Sequence, residues 1–310
     1  MKLIRLIAAA LVTGIMCFAY FYFFEPDRLY ATYRCLRYAR PIYGCYHKTD
    51  MAFTTDFFGT VYEGNTRDIQ DRNVLIYGAA EKPLLYFLRD VSRGGVFLDI
   101  GANRGHHSIF MSRYAKEVHA FEPYQAVLRV FQRTMTLNKI RNIVIHPVGL
   151  GDKDETLRFY EPPATNLGAG SFISDWDPQS NSGGEFTVRT GDEELKRFGV
   201  RTVDLVKIDV EGFERPVLKG LAATLRRDRP IVVFELSRNN PSPVLFQSAA
   251  EVRASFPERY GFLAFDTGDY FTGAYNLGAF EEVVRFNEQR QYSVVAFPLE
   301  RDVPRSNPRL

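Results

Sequence analysis

The chain has 310 residues, which allows one large domain or two small ones. Hydrophobic residues make up 45%, ample for a packed core. A net charge of +2 is too small to point to nucleic acid as a partner.

Leu6 to Phe24 contains no charged residue and is long enough to cross a bilayer as a helix. A cleaved signal peptide would have a shorter apolar core and small residues at its end, whereas this run closes in FAYFYFFEP. Tyr20, Tyr22 and Phe24 suit an interfacial aromatic belt. The expectation is an uncleaved single-pass membrane anchor over residues 1–26, with a cleaved signal as the alternative. Lys2 and Arg5 precede the span and Arg28, Arg34, Arg37 and Arg40 come after it, so the positive-inside rule leans towards a cytoplasmic catalytic domain. Residues 27–50 interleave arginines with Tyr30, Tyr33, Tyr38, Tyr43 and Tyr46, a basic aromatic juxtamembrane linker that either lies on anionic headgroups or is solvated. A globular domain is expected over residues 51–300 and a tail over 301–310. Cys17, Cys35 and Cys45 all precede that domain, which therefore holds neither a cysteine-ligated zinc nor a cysteine nucleophile. Cys35 and Cys45 can pair only in an oxidising space.

Met51 to Asp71 reads as a β-hairpin region, with aromatic residues and turn glycines in FFGTVYEGN. EKPLLYFLRDV, Glu81 to Val91, reads as an amphipathic helix. VFLDIGANRG, Val96 to Gly105, is the stretch around which the chain is organised: an apolar run ends in an acid, a glycine-rich turn succeeds it, and GHHSIFMSRYAKE reads as a helix. Such a turn forms a nucleotide-type cradle, because glycine lets the backbone approach a ligand and the helix start offers unpaired N–H groups. An ordinary strand–helix turn is the plainer alternative. EVHAFEP is a second strand, and Glu122 at its end stands at about the 20-residue offset at which an acid grips a ribose hydroxyl pair. A helix comes next with Val127, Phe131 and Met135 inward, then NIVIHPV, Asn142 to Val148, as a third strand. His119 and His146 lie within these strands and read as packing.

Glu155 to Thr190 breaks the rhythm. ETLRFYE and EFTVRT flank a polar stretch, NLGAGSFISDWDPQSNSGG. This insertion either covers a site, with Asn166 and Ser171 towards an acceptor, or is a surface loop. Asp192 to Phe198 is a short helix stopped by Gly199. VDLVKIDVEGFE brings a fourth strand, a helix runs through VLKGLAATLRRD, and PIVVFELS is a fifth strand. A helix from about Pro243 to Phe256 leads to YGFLAFDT, which pairs antiparallel with the last strand, YSVVAFPLE. Strands alternating with helices argue an α/β fold with a parallel sheet covered on both faces.

The turn after Asp99 is not the dinucleotide fingerprint, which would need glycines at Asn103 and His106; this counts against an NAD-type oxidoreductase. Asp99-x-Gly101-x-Asn103-x-Gly105 resembles instead motif I of S-adenosylmethionine-dependent methyltransferases. Together with Glu122-Pro123, the NLGAGSF run, Lys207-Ile-Asp209-Val-Glu211-Gly212-Phe-Glu214, Leu218-Lys-Gly220 and Phe234-Glu235, it makes the chain similar to FkbM-type methyltransferases from about Phe57 to Phe297. The resemblance implies a Rossmann-like class I methyltransferase fold: a seven-stranded, mostly parallel sheet ordered 3-2-1-4-5-7-6 with helices on both faces, here preceded by the transmembrane helix. It also implies S-adenosyl-L-methionine as cofactor, bound by Asp99, Gly101, Ala102, Asn103, Gly105, Glu122 and Val148. The activity implied is O-methylation of a sugar or other hydroxyl acceptor, a small molecule or a glycan. The chain departs from the pattern at His106-His107 and at Gly191, where an apolar residue commonly precedes the acid.

In that sheet order Asp209 and Glu235 end neighbouring strands, and both carboxylates face the crevice where ligands bind. They either share a general-base role or hold one divalent cation, Mg2+ or Mn2+, through oxygen ligands. Glu211 and Glu214 can add ligands, and Lys207 lies on the same side of its strand as Asp209. The catalytic candidates are thus Asp209, Glu235, Lys207 and Glu211, with a structural salt-bridge cluster as the alternative. His106 and His107 beside the turn are open to a base role or to a plain polar contact. The leading reading is a membrane-anchored O-methyltransferase, and the runner-up is a non-catalytic protein that keeps the fold and the cofactor as a structural ligand. Intact Asp99, Glu122 and Asp209 favour the enzyme.

Overall fold

The computed structural model describes residues 50–173, 181–237, 244–286 and 291–307. The chain divides into two units, Met1–Ala80 and Glu81–Leu310. In the first, β1 (Ala52–Phe57) and β2 (Thr60–Asn65) form an antiparallel hairpin. Phe58 and Gly59 close it with positive φ at both positions, the backbone that matches strand twist in a two-residue loop. Helix α1 (Ile69–Tyr77) is next, its first turn capped by the Asp68 carboxylate, which accepts from the N–H groups of Gln70 and Asp71.

The second unit opens with α2 (Lys82–Val91), then β3 (Val96–Ile100), α3 (His106–Met111), β4 (Glu117–Phe121), α4 (Gln125–Leu137) and β5 (Ile143–His146). Next come β6 (Gly149–Gly151), β7 (Glu155–Glu161), β8 (Asn181–Thr190), α5 (Gly191–Arg197) and β9 (Leu205–Ile208). After these lie α6 (Glu214–Gly220), α7 (Ala222–Asp228), β10 (Ile231–Ser237), α8 (Ala249–Ala254) and β11 (Tyr260–Gly268). The last elements are β12 (Tyr275–Ala279), α9 (Phe280–Val283), β13 (Gln291–Pro298) and β14 (Ser306–Asn307).

The main sheet runs β14-β12-β11-β13-β10-β9-β3-β4-β5. Strands β10, β9, β3, β4 and β5 pair in parallel, while β13, β11, β12 and β14 join antiparallel. The parallel strands are buried and read as near-continuous apolar runs, as strands covered on both faces must. This corrects the seven-stranded, mostly parallel sheet ordered 3-2-1-4-5-7-6: the sheet is nine-stranded and mixed. The two strands missing from that expectation are hard to read, because YNLGA carries Asn and Gly in its middle and β14 is only two residues long. The two β-like runs of the insertion pair antiparallel in a second, three-stranded sheet, β6-β8-β7.

A second correction concerns the membrane. No helix among the described residues is long and apolar enough to cross one, against the expectation of a single-pass anchored protein with a cytoplasmic catalytic domain. The longest described helix, α4, has 13 residues. Such a helix spans about 20 Å, short of the roughly 30 Å hydrocarbon thickness. The expected span Leu6–Phe24 and the linker at 27–49 lie outside the described residues.

One polar pair sits inside this sheet. His119 of β4 and His146 of β5 are 2% and 1% exposed, and His119 Nδ1 lies 2.9 Å from His146 Nε2. One ring donates and the other accepts, so the pair is neutral. Phe121 stacks on His146 and Phe198 meets its edge, each with centroids 4.3 Å away. Burial, and then His119, pushes His146 down to about 4; burial also lowers His119, against the opposing pull of Glu117. A base with a lowered folded pKa loses stability as pH falls from its unfolded value towards its folded one. Wild type is therefore expected to lose on the order of 2–3 kcal/mol relative to His146→Asn between about pH 6.5 and pH 4. Denaturant unfolding of both proteins at stepped pH measures the difference, which cancels the opposite trend of the buried acids. Parallel pH curves would remove the neutral-pair account.

Candidate functional site

The turn after β3 is built by close approach. Gly101 has φ +79, and a Cβ there would overlap the Asp209 carbonyl oxygen. Glycine is thus required on two counts, backbone sign and space. The N–H groups of Gly101 and Ala102 both donate to Phe121 O at the end of β4, at 3.0 and 3.1 Å. Asn103 is also left-handed, with φ 50, and Gly105 forms the N-cap of α3. Glu122 locks the turn: its Oε2 accepts from Asn103 N at 2.9 Å, and its Oε1 accepts from Tyr124 N at 2.8 Å. Burial pushes the Glu122 carboxyl up to about 7, although these two N–H groups pull it back. Each carboxyl oxygen keeps a second lone pair for a ligand hydroxyl. Val148, past β5, packs against the hydrophobic core and gives its N–H to His146 O, so it supplies shape and not polarity.

Asp99, fully buried on β3, faces Lys207 on β9 across a parallel register. Lys207 Nζ lies 3.8 Å from Asp99 Oδ1, 3.1 Å from Asp209 Oδ2 and 3.4 Å from Gly101 O. Burial works against the Lys207 ammonium, but Asp209, Asp99 and Glu81 outweigh it and hold it above its ordinary range. The second Asp99 oxygen accepts from Ser108 Oγ at 2.6 Å. Ser108 escapes the sequence reading; an acid at a strand end with a serine in the next helix is too common a pattern to single out.

Glu235 comes directly after Phe234, which pairs with Ile208 in β9, so it stands beside Asp209 at the sheet's edge. Carboxylate oxygens of Asp209, Glu211 and Glu235 lie within 4.8 Å of one another. Burial raises Glu235 well above the carboxylate range, and Asp209, Glu211 and Glu214 add to this. Its carboxyl hydrogen-bonds to Asp209. Glu211 has φ 51, and its carbonyl accepts from Ser171 Oγ at 2.8 Å. Glu214 does not join the group as a ligand. Its Oε1 accepts from the N–H groups of Val210 and Gly212, each at 3.1 Å, so it caps the turn after β9.

The insertion reaches this site from one side. Ser171 is buried and tied to Glu211, while a Cβ on Gly168 would lie 2.8 Å from Asn103 Nδ2. Asn166 N and O bond within the loop, to Pro163 O and Ala169 N. His106 and His107 open α3, both buried. His107 Nε2 lies 3.4 Å from the carboxylate of Glu81, a second residue that the sequence reading does not place here. Buried atoms without a hydrogen-bond partner among the described residues include Asp99 Oδ1, Asn103 Oδ1 and His107 Nε2. A ligand bringing hydroxyl and ammonium donors fits such a lining.

Comparison with known proteins agrees with this chemistry. A family model described as the Methyltransferase FkbM domain matches residues 99–264. Methyltransferase 1 of Beauveria bassiana (strain ARSEF 2860) is 29% identical over 142 residues, 40% of this chain and 57% of that protein. The chain thus spans little more than half the length of that relative. The crystal structure of methyltransferase FkbM from Methylobacillus flagellatus KT superposes with TM-score 0.43 and 15% identity, covering 73% of this chain and 53% of that one. A Streptococcus mutans chain crystallised with SAH superposes with TM-score 0.39 and 8% identity, over 69% and 94%.

The close approach at Gly101 has a measurable consequence. Gly101→Ala strains a positive φ and drives a Cβ into backbone, whereas Gly168→Ala meets only the end of the Asn103 side chain. Denaturant unfolding is expected to show a loss of at least about 2 kcal/mol for Gly101→Ala and a smaller one for Gly168→Ala. Equal losses would mean that the turn relaxes away from Asp209.

Proposed function

The chain belongs to the methyltransferase FkbM domain family, and we propose that it is an S-adenosylmethionine-dependent O-methyltransferase acting on a sugar or other hydroxyl acceptor. The observation that carries the O-methyl reading is the carboxyl pair Asp209–Glu235 beside the Gly101 turn. When bound, the cofactor supplies a methyl group made electrophilic by its sulfonium. Asp99, the Gly101–Gly105 turn and Glu122 would hold it, with Glu122 accepting from the ribose hydroxyls. A hydroxyl oxygen is a poor nucleophile until its proton leaves, so the chain must supply an acceptor for that proton. Asp209, 30% exposed and paired with Lys207, is that acceptor. Glu235 carries its own proton and donates a hydrogen bond to Asp209, holding the base in place. As the acceptor oxygen gains the methyl group, its proton passes to Asp209 and then to solvent. Ser171, tied to Glu211, fixes one wall of the acceptor side.

A second reading has its own support: the three clustered carboxylates of Asp209, Glu211 and Glu235 have the hard oxygen donors that Mg2+ or Mn2+ takes.

Two experiments test the reading. An acceptor screen with labelled cofactor, read by mass spectrometry, identifies the product. With that acceptor, Asp209→Asn is expected to lower turnover by about 10²-fold or more while cofactor affinity changes little. Turnover is expected to survive dialysis against EDTA; loss restored by Mg2+ or Mn2+ selects the metal form instead. Full activity in Asp209→Asn would remove it as the base.

Glu122 supplies the second test. A carboxylate accepts ribose hydroxyls better than a neutral carboxyl does, so binding favours the ionised form. With Glu122 near 7 in the free protein, cofactor affinity is expected to rise with pH through about 7 and to release a proton. Calorimetry in buffers of different ionisation enthalpy counts that proton. Glu122→Gln should bind about 10- to 100-fold more weakly above that pH and lose part of the pH dependence. A variant with wild-type affinity and proton release takes Glu122 out of the site.

A further inference from the structure

The Glu81 side chain enters neither the fold's hydrogen-bonded frame nor the proposed chemistry, and the residue lies outside residues 99–264 of the family match. It directly precedes α2 in a left-handed backbone, φ 45 and ψ 39. That conformation is costly for a residue with a long side chain, so the surroundings hold it there. The side chain points back to the cofactor turn: Oε2 is 3.4 Å from Nε2 of His107, the second residue of α3. His107 is 4% exposed, and its Nε2 makes no hydrogen bond among the described residues. Burial, and then Lys207 and His106, keep that imidazole neutral, so the contact is no ion pair.

Burial, and then Asp209, push the Glu81 carboxyl up to about 7, with Lys207 opposing them and Asp99 adding to them. Asp99 is fully buried, with one oxygen on Ser108, and Asp209 is paired with Lys207. Glu81 is committed to none of the backbone donors that engage Glu122 and Glu214. Its side chain stays 38% exposed, and a neutral imidazole offers it one hydrogen bond at most. Among the parts of an S-adenosyl ligand, adenine and ribose carry no cation and the methionine carboxylate is repelled by this lining. The methionine ammonium brings three N–H donors and the missing positive charge.

We propose that Glu81 is a positioning residue that holds the ammonium of the cofactor's methionine half, with the buried His107 Nε2 beside it. The assignment rests on S-adenosylmethionine being the cofactor. It gives the turn a second anchor: Glu122 fixes the ribose end and Glu81 the amino-acid end, so the methyl group between them is aimed at the acceptor side.

The test is calorimetric and needs no turnover. The full chain is titrated with S-adenosylhomocysteine and with 5′-methylthioadenosine, which keeps the nucleoside but lacks the amino-acid group. Glu81→Gln is expected to weaken S-adenosylhomocysteine by about 10- to 100-fold and to leave 5′-methylthioadenosine unchanged. Glu81→Asn, whose side chain tolerates left-handed backbone, repeats the measurement if the first variant folds poorly. Equal weakening of both ligands means a structural role and overturns the proposal. Unchanged affinity for both overturns it too, while leaving the methyltransferase reading in place. Wild-type protein that binds neither ligand sinks the cofactor assignment and this proposal with it.

Discussion

The Lys207 ammonium is the constraint on which the site depends. It is buried, and it lies within 4 Å of Asp99 in β3, the Gly101 carbonyl in the turn after β3, and Asp209 just past β9. Burying a charge costs several kcal/mol unless partners surround it. Here the partners are carboxyls that would repel one another without it. Removing the cation would leave Asp99 buried without its counter-charge, and the cost would fall on the cofactor turn. Burial and mutual pairing thus make one lysine responsible for the geometry of both halves of the site.

That geometry is reinforced by backbone. Gly101 touches Asp209 main chain, and the turn's N–H groups donate to Phe121 O, so the ends of β3, β4 and β9 are pinned together. Glu122 closes the turn from β4, and Glu214 closes the turn after β9. Both acids are raised to about 7 by burial, yet each receives two backbone N–H groups. Such bonds order the chain first and serve a ligand second.

Much of the parallel half of the sheet is legible in the sequence, because VFLDI, LVKI and IVVFELS are continuous apolar runs and helices separate them. The acids that close these runs stand out for the same reason: a charge at the end of a buried strand needs a purpose. The antiparallel edge is not legible, since YNLGA and a two-residue strand have no periodicity to detect. α3 is also shorter than its sequence suggests, ending at Met111, and Thr134 is buried in α4 where Met135 is only partly so. Glu81 is the least legible residue of all. It precedes its helix as many acids do, and only the left-handed backbone and the distance to His107 separate it from an ordinary surface glutamate.

The acids of this site look alike in the sequence, and what sorts them is the donor each one meets. Glu214 meets backbone N–H groups and is spent on a turn. Asp99 meets a hydroxyl and an ammonium and joins β3 to β9. Asp209, Glu211 and Glu235 bring carboxylate oxygens within 4.8 Å of one another, and Lys207 pairs with Asp209. Carboxyls placed so close disfavour one another's ionisation, and burial holds Glu235 well above the carboxylate range. The result is an asymmetric pair, a buried carboxyl beside one that Lys207 holds. Asymmetry of this kind arises from unequal burial at equivalent strand ends, which no spacing in the sequence encodes.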